Sequence, residues 1–394
     1  GDYESRLLGA EQSNTSFLYD EAFILKLYRK IETGNNPDAE LVRMLTEKAR
    51  FPNVPGFAGS LEFKHSGKRK VDLAILQQFV PNQGDGWSLA VNQTGRFFER
   101  IITQQPIVPE LVSESTDDIF PARNWGTGFV DMLGDFFAEL ITILGQRTGE
   151  MHRALASNKK DREFSPEKFS LLYQRSVYQS IRTQIRQSLR LLDKRRRYLS
   201  ADARKLADQV LDSHSKLLRV ASSVSSKKID ARKIRTHGDY HLGQVLFTGK
   251  DFTIIDFEGE PAHPISERRI KRSPLRDLAG MVRSFHYAAH AGLLQSPSIR
   301  PEDREDLVPW ADLWSEYLGN LYIDAYRETV SGEDFIPRNA EDFRNLFKGF
   351  LLEKATYEIG YELNNRPDWV MIPLTGVLQI LDVTTTGTTR SETQ

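Results

Sequence analysis

The run His237-Gly238-Asp239-Tyr240-His241-Leu242-Gly243-Gln244, then a strand-turn-strand pattern, then Ile255-Asp256-Phe257-Glu258, brings together residue types that suit phosphoryl transfer. That chemistry needs a carboxylate beside the attacking hydroxyl and oxygen ligands that hold Mg²⁺ against the phosphates. Asp239 stands on the loop entering the hairpin, placed to orient or deprotonate a hydroxyl. Gln244 begins the first strand and Asp256 ends the second. A tight hairpin sets those positions side by side, so an amide oxygen and a carboxylate can share one cation. Asp256 closes the apolar run Ile254-Ile255, where a carboxylate is costly to bury without a cation or hydrogen-bond partners. The alternation His237-x-Asp239-x-His241 also has metal-ligand character and leaves a metallohydrolase open. The remaining histidines (His65, His152, His214, His263, His286, His290) offer no matching pair elsewhere in the sequence.

Elements must position these groups. Ala22–Lys30 alternates, with Phe23, Leu25 and Leu27 on one face and Ile24, Lys26 and Tyr28 on the other, which predicts a strand with a lysine in an apolar setting. Pro37-Asp38 opens a helical pattern that stops before Phe51-Pro52. Ser60–Phe63 and Val71–Val80 read as two further strands around the polar turn Lys64-His65-Ser66-Gly67-Lys68. From Trp87 the pattern is helical: Gly128–Ala156, a helix from Pro166, one over Ala201–Val220, and helices from Ser273-Pro274 to Leu381. Val245–Phe247 and Phe252–Phe257 form the hairpin. Ser222–Lys228 reads as a linker, and Lys194–Arg197 as a solvated helix end.

Bulk composition narrows the classes. Lys and Arg number 53 against 54 Asp and Glu, which gives no reason to expect nucleic acid or an anionic membrane as partner. With no cysteine, disulfides, thiolate metal sites and cysteine nucleophiles are excluded. No apolar stretch approaches the ~20 residues of a membrane span and no signal-peptide pattern opens the chain, so a cytoplasmic protein is expected.

His237-Gly238-Asp239 with Asp256-Phe257-Glu258 resembles the H-R-D and D-F-G signatures of protein kinases. It is closer to the H-G-D form of the aminoglycoside-phosphotransferase relatives. Gln244 in place of Asn, with His-Leu-Gly-Gln-Val-Leu (241–246) and Asp-Phe-Glu-Gly-Glu-Pro (256–261), looks like bacterial maltokinases. Matches at Ala10–Ser16, Ile24–Tyr28, Phe79–Asn82, Arg276–Met281 and Glu353-Lys354 through Arg366-Pro367 spread this resemblance over nearly the whole chain. It implies an α+β, bilobal protein-kinase-like fold: a nucleotide-binding N-lobe over 1–83, a helical C-lobe over 84–383 with catalytic loop and acceptor pocket, and a disordered tail over 384–394. It implies ATP and Mg²⁺ as cofactors, and phosphorylation of maltose, with another small acceptor such as glucosamine or an amino-alcohol as the alternative. It also implies fusion to or association with trehalose synthase.

By the same resemblance Lys26 binds the α- and β-phosphates, with Glu40 as its ion-pair partner. Ser13, Asn14, Thr15 and Ser16 form the phosphate-covering turn, lacking the G-x-G-x-x-G of protein kinases. Gln78, Phe79 and Val80 meet adenine through backbone groups, and Arg276 and Asp277 brace the catalytic loop. Asp239 is the catalytic carboxylate, and Gln244 and Asp256 are the metal ligands. Tyr357 and Tyr361, like Glu358 and Glu362, are four apart on one helix face. With His241, Arg366 and Trp369 they are the expected sugar pocket, in which mixed aromatic, acidic and Arg character favours a neutral sugar. A pocket for a cationic acceptor should instead be richer in acids than in Arg and aromatics. The N-terminal cap of maltokinases is largely missing, which implies a fragment or a reduced cap.

Overall fold

The computed structural model describes residues 3–9, 14–64, 70–108 and 125–388, of which 382–388 are described as backbone only. Strands β1 (Ser5–Leu8), β2 (Asn14–Tyr19), β3 (Phe23–Tyr28), β4 (Phe57–Lys64) and β5 (Lys70–Gln78) form one antiparallel sheet in the order β1-β2-β3-β5-β4. The alternation read in the sequence survives: Lys26 and Tyr28 on β3 turn their side chains inward together. Register places Lys26 across from Ser16 on one side and Ile75 on the other. Helix α1 (Pro37–Arg43) crosses the sheet and widens into one further turn over Met44–Lys48. Its start is fixed locally, since Asn36 Oδ1 accepts the Asp38 N–H and Pro37 occupies the first turn.

The rest is mostly helical: α2 (Gly86–Gln104), α3 (Gly126–Leu133), α4 (Asp135–Ala156), α5 (Leu171–Arg195), α6 (Ala201–Asp212), α7 (His214–Ser223), α8 (Ile265–Arg268), α9 (Leu275–Gln295), α10 (Arg304–Thr329), α11 (Ala340–Asn365) and α12 (Met371–Thr388). Two small sheets interrupt it, β6 (Glu167–Lys168) with β7 (Arg232–Lys233) and the hairpin β8 (Val245–Phe247) with β9 (Phe252–Ile254). Among the described residues no helix is long and apolar enough to cross a membrane.

Several expected elements end differently. The helix expected over Gly128–Ala156 breaks at Gly134, whose φ of 95° no helix allows. The one from Pro166 starts only at Leu171, because Glu167–Lys168 pairs as a strand and Ser170 caps the helix. The one over Ala201–Val220 breaks at Ser213. Ser222–Lys228 is not a linker: its first two residues end α7, Val224 is fully buried, and Gln174 bonds the Val224 and Lys227 carbonyls. Helix α12 runs through to Thr388, so the expected tail from 384 is helical there, and 389–394 lie outside the described residues. The polar turn at 65–68 lies outside them too.

The helical core is organised by α4 against α10. Phe137 stacks on Trp314 with ring centroids 5.8 Å apart, and Thr148 bonds the Tyr322 hydroxyl at 3.1 Å. His152 reaches Tyr326 at 3.0 Å one turn on. Gly145 permits this approach, since a Cβ there would lie 2.4 Å from the Tyr322 carbonyl oxygen. On α11, by contrast, a Cβ on Gly360 meets only Ser188 Oγ, at 3.7 Å. Calorimetric unfolding should therefore show Gly145→Ala destabilised by about 1–3 kcal/mol through overpacking. Gly360→Ala should be neutral or gain up to about 1 kcal/mol of helix propensity. Equal effects at both positions would mean that α4 and α10 do not approach as described.

Candidate active site

A cleft of about 940 Å³ runs between the sheet and the helical part, lined by Ile24, Lys26, Gln78 and Val80 on one side and by Asp239, Gln244, Leu246, Asp256 and α11 on the other. At its centre lies the Lys26 ammonium. It is bonded to Asp256, 2.8 Å from Glu258 and 3.3 Å from Asp38. Burial alone would lower its pKa, but the three carboxylates override this and hold it well above the usual lysine range. Burial pushes Asp38 up to about 6, helped by the nearby Glu258 and Asp256 charges and opposed by Lys26. Asp256 goes the other way: burial would raise it, yet Lys26 and a hydrogen bond from Gln244 hold it below the usual carboxylate value.

The expected partner of Lys26 was Glu40, and the structure corrects this. Glu40 instead receives Arg235 at 2.8 Å and Arg269 at 2.7 and 3.0 Å. The reason is helical phase. Asp38, Leu41 and Val42 share the buried face of α1, continued by Leu45 in the turn after it, which aims Asp38 at β3 and turns Glu40 away. Asp38 also accepts the Phe257 N–H at 3.1 Å, tying α1 to the segment after the hairpin. Glu258, which also accepts from Asn14, completes the cluster.

The hairpin does what its sequence implied. Gln244 closes a short turn (Leu242–Gln244) just before β8 rather than beginning the strand, and Asp256 lies two residues past the end of β9. Asp256 adopts φ 63°, a left-handed conformation that Asp tolerates better than most residues, and this turns its carboxylate into the cleft. The oxygens of Asp38, Asp256 and Glu258 lie within 4.8 Å of one another. Three carboxylates against one ammonium leave negative charge that suits a divalent cation, and all donors, Gln244 included, are hard oxygens. The residues fit Mg²⁺.

The loop carrying Asp239 is braced from beneath. Asp277, at the start of α9, accepts the N–H groups of His237 at 2.8 Å and Gly238 at 3.0 Å. Its own carboxylate, buried yet held below the usual range, is bonded by His152 at 3.0 Å. His152 is thus a satisfied packing histidine. His237 Nε2 bonds the Ile255 carbonyl at 2.9 Å, joining the loop to the second hairpin strand. Gly238 has φ 90°, which only glycine adopts freely. Arg276 pairs with Glu353 of α11 at 2.9 Å. Asp239 itself faces Lys354 Nζ at 3.5 Å, a neighbour that the sequence reading had matched but given no role.

Other expectations need adjusting. Asn14, Thr15 and Ser16 are strand residues paired with β3, because Asn14 and Ser16 alternate into the buried face, and Ser13 lies outside the described residues. The N–H groups of Gln78 and Phe79 bond the carbonyls of Gly56 and Ala22, so neither is available to a base; Gln78 and Val80 line the cleft, and Phe79 does not. At the far end, His241, Tyr357, Glu358, Tyr361 and Arg366 line it together, joined by Glu260, Tyr287 and Glu362. Burial lowers the pKa of His241. Glu358 is held by Arg283 at 2.8 Å, and Glu362 by Arg366 at 2.7 Å and Tyr287 at 3.2 Å. Trp369 is not in the lining; it packs under the Arg366 guanidinium, 4.5 Å from it.

No family model matches the chain. It is similar to a glucosamine kinase of Streptacidiphilus jiangxiensis, 22% identical over 373 residues, covering 92% of this chain and 70% of the relative. It is similar to a glucosamine kinase of Mycolicibacterium smegmatis at 22% over 397 residues, covering 96% and 79%. Among solved structures, a glucosamine kinase in complex with glucosamine, ADP and inorganic phosphate superposes with a TM-score of 0.70 at 18% identity, over 96% of this chain and 76% of that one. The fold is therefore the α+β, bilobal kinase-like fold that the motifs implied.

The Glu40 correction has a measurable consequence. Glu40→Ala strands the Arg235 guanidinium, 1% exposed, and should cost about 3–5 kcal/mol in denaturant unfolding. Mg·ATP should still bind below the unfolding transition, whereas Lys26→Met, which leaves Asp38, Asp256 and Glu258 without their shared cation, should weaken that binding and also cost stability. Loss of nucleotide affinity in a folded Glu40→Ala protein would restore Glu40 to the phosphate site.

Proposed function

We propose that this chain is an ATP- and Mg²⁺-dependent kinase of a small sugar, and that its acceptor is an amino sugar of the glucosamine type. The observation that carries the acceptor is the charge of the cleft wall. Asp85, Asp239, Asp256, Glu258, Glu260, Glu358 and Glu362 line it against Lys26, Lys354 and Arg366. A cleft so rich in carboxylates concentrates and selects a cation, and a protonated amino group is what separates glucosamine from a neutral hexose. The relatives named as glucosamine kinases, of which this chain covers 70% and 79%, support the same reading.

The roles follow from placement. The adenine ring fits between Ile24 and the Leu246–Ile255 side of the hairpin, beside Val80. Lys26 holds the phosphates, and a divalent cation bound through Gln244 and Asp256, with Glu258 beside them, supplies neutralisation of the charge that develops during transfer. Asp239 accepts a hydrogen bond from the acceptor hydroxyl. That oxygen forms its bond to the γ-phosphorus as the bond from phosphorus to the β–γ bridging oxygen breaks, ADP leaves, and the hydroxyl proton passes to Asp239. Lys354, with Nζ 3.5 Å from Asp239, orients that carboxylate. Tyr357 and Tyr361 offer ring faces to the sugar, and burial, helped by the charge and hydrogen bond of Glu260, keeps the Tyr357 hydroxyl protonated.

Maltose is the second reading, carried by those two tyrosines and by the likeness of 256–261 to maltokinases; association with trehalose synthase belongs to that reading alone. ADP release with Mg·ATP separates the two. Glucosamine should be turned over with much the highest kcat/KM in a panel of glucosamine, N-acetylglucosamine, glucose and maltose. Preference for maltose would overturn the amino-sugar assignment while leaving the phosphate machinery in place. With the preferred acceptor, Asp239→Asn should lose ~10²-fold or more in kcat and keep Mg·ATP binding. Unchanged kcat would remove Asp239 from that role.

A further inference from the structure

A second group of metal-ligand residues lies on α9 and α10, outside the cleft lining. His286 and His290 sit four apart on α9, a spacing that puts both imidazoles on one helix face, with ring centroids 4.5 Å apart. Asp312 on α10 meets them, its Oδ1 3.2 Å from His290 Nε2. One ligand atom from each of the three lies within 4.8 Å of the others. The separation of 3.2 Å is close to the ~3.3 Å edge of a tetrahedron with bonds of ~2.0 Å, as zinc makes to imidazole and carboxylate. The sequence carries the His286–His290 pair at helical spacing, but its third member, Asp312, is distant in the chain and not legible there. Tertiary packing supplies it.

A second observation points to a ligand. His286 is 6% exposed, and neither ring nitrogen has a hydrogen-bond partner. Gln379 of α12 is the polar side chain that approaches the ring, without a hydrogen bond of normal geometry. A buried imidazole with both nitrogens unsatisfied is costly unless a ligand takes them up. Burial above all, then the charges of Arg283 and His290, depresses the pKa of His286 well below its usual value, so the ring is neutral, the form that binds metals. Arg283 opposes a cation here, but its charge is matched by Glu358 at 2.8 Å. Asp312, with its side chain 32% exposed, opens the group to solvent, which gives an ion an entry path and leaves room for a water as fourth ligand.

We propose that His286, His290 and Asp312 form a binding site for one divalent cation of the zinc class, clamping α9 to α10. The site is distinct from the oxygen-lined cation site of the cleft and goes beyond the proposed kinase reaction. Its effect is structural. Helix α9 begins with Asp277, which holds the His237 and Gly238 amides, so a clamp near the middle of α9 stiffens the helix that carries the catalytic loop.

Tag-free full-length protein stripped with chelator and titrated with Zn²⁺ by calorimetry, without nucleotide, tests this. A Co²⁺-loaded sample adds a visible spectrum whose intensity reports tetrahedral nitrogen and oxygen ligation. Wild type and Asp256→Asn should each bind one tight equivalent and gain several degrees in Tm on loading. Asp312→Asn, a near-isosteric change at a part-exposed residue, and His290→Gln should bind at least ~10-fold more weakly, as expected when a ligand is removed. Their metal-free Tm should stay near that of metal-free wild type, which shows that they fold. Absence of a tight equivalent in wild type, binding that Asp312→Asn and His290→Gln leave intact, or binding lost only in Asp256→Asn would each overturn the site.

Discussion

Everything at the centre of this molecule depends on one buried ammonium. Lys26 projects from the middle strand of the sheet into a nest of Asp38, from α1, and Asp256 and Glu258, from the segment after the hairpin. Each carboxylate alone would be costly to bury, and so would the lysine. Together they are mutually satisfied except for residual negative charge. The cluster therefore locks sheet, α1 and hairpin into one arrangement and keeps an electrostatic demand for a further cation. The balance differs within the cluster: burial pushes Asp38 up, while Lys26 holds Asp256 down against the same effect.

Around that cluster the scaffold is layered. The hairpin sets Gln244 against Asp256. The loop before it is held by two amide hydrogen bonds to Asp277, which is held in turn by His152 and, through it, by Tyr326 on α10. Asp239 carries little of this framework: its side chain points into the cleft toward Lys354. That division, with buried groups holding the backbone and exposed groups free to meet ligands, is how a reactive carboxylate is kept in place without being consumed by structure.

The acceptor end shows how residue type can be right and its chemistry incomplete. The tyrosine and glutamate pairs of α11 do share the face that lines the cleft. Read as a local run, they favoured a neutral sugar. The wall they belong to also includes Glu260, from the segment after the hairpin, and Asp239, so its acidic character is greater than the run alone conveys. This sum over distant segments, together with the likeness to glucosamine kinases, moved the proposed acceptor from maltose to an amino sugar.

What the sequence determined by itself was local and periodic. The inward alternation of Lys26 in β3, the hairpin bringing Gln244 to Asp256, and the tyrosine and glutamate pairs of α11 all rest on spacing within one element, where strand and helix geometry leave little choice. The burial phase of α1, which puts Asp38 on the same face as Leu41 and Val42, was not read from the sequence, where the resemblance pointed to Glu40 instead. Tertiary structure alone decided which charges meet across the chain. Glu258 reaches Lys26, Lys354 reaches Asp239, Arg235 takes Glu40, and Asp312 joins His286 and His290. These pairings depend on helix packing angles and loop paths set by the whole core, and a long-range contact leaves no spacing in the sequence from which it can be read.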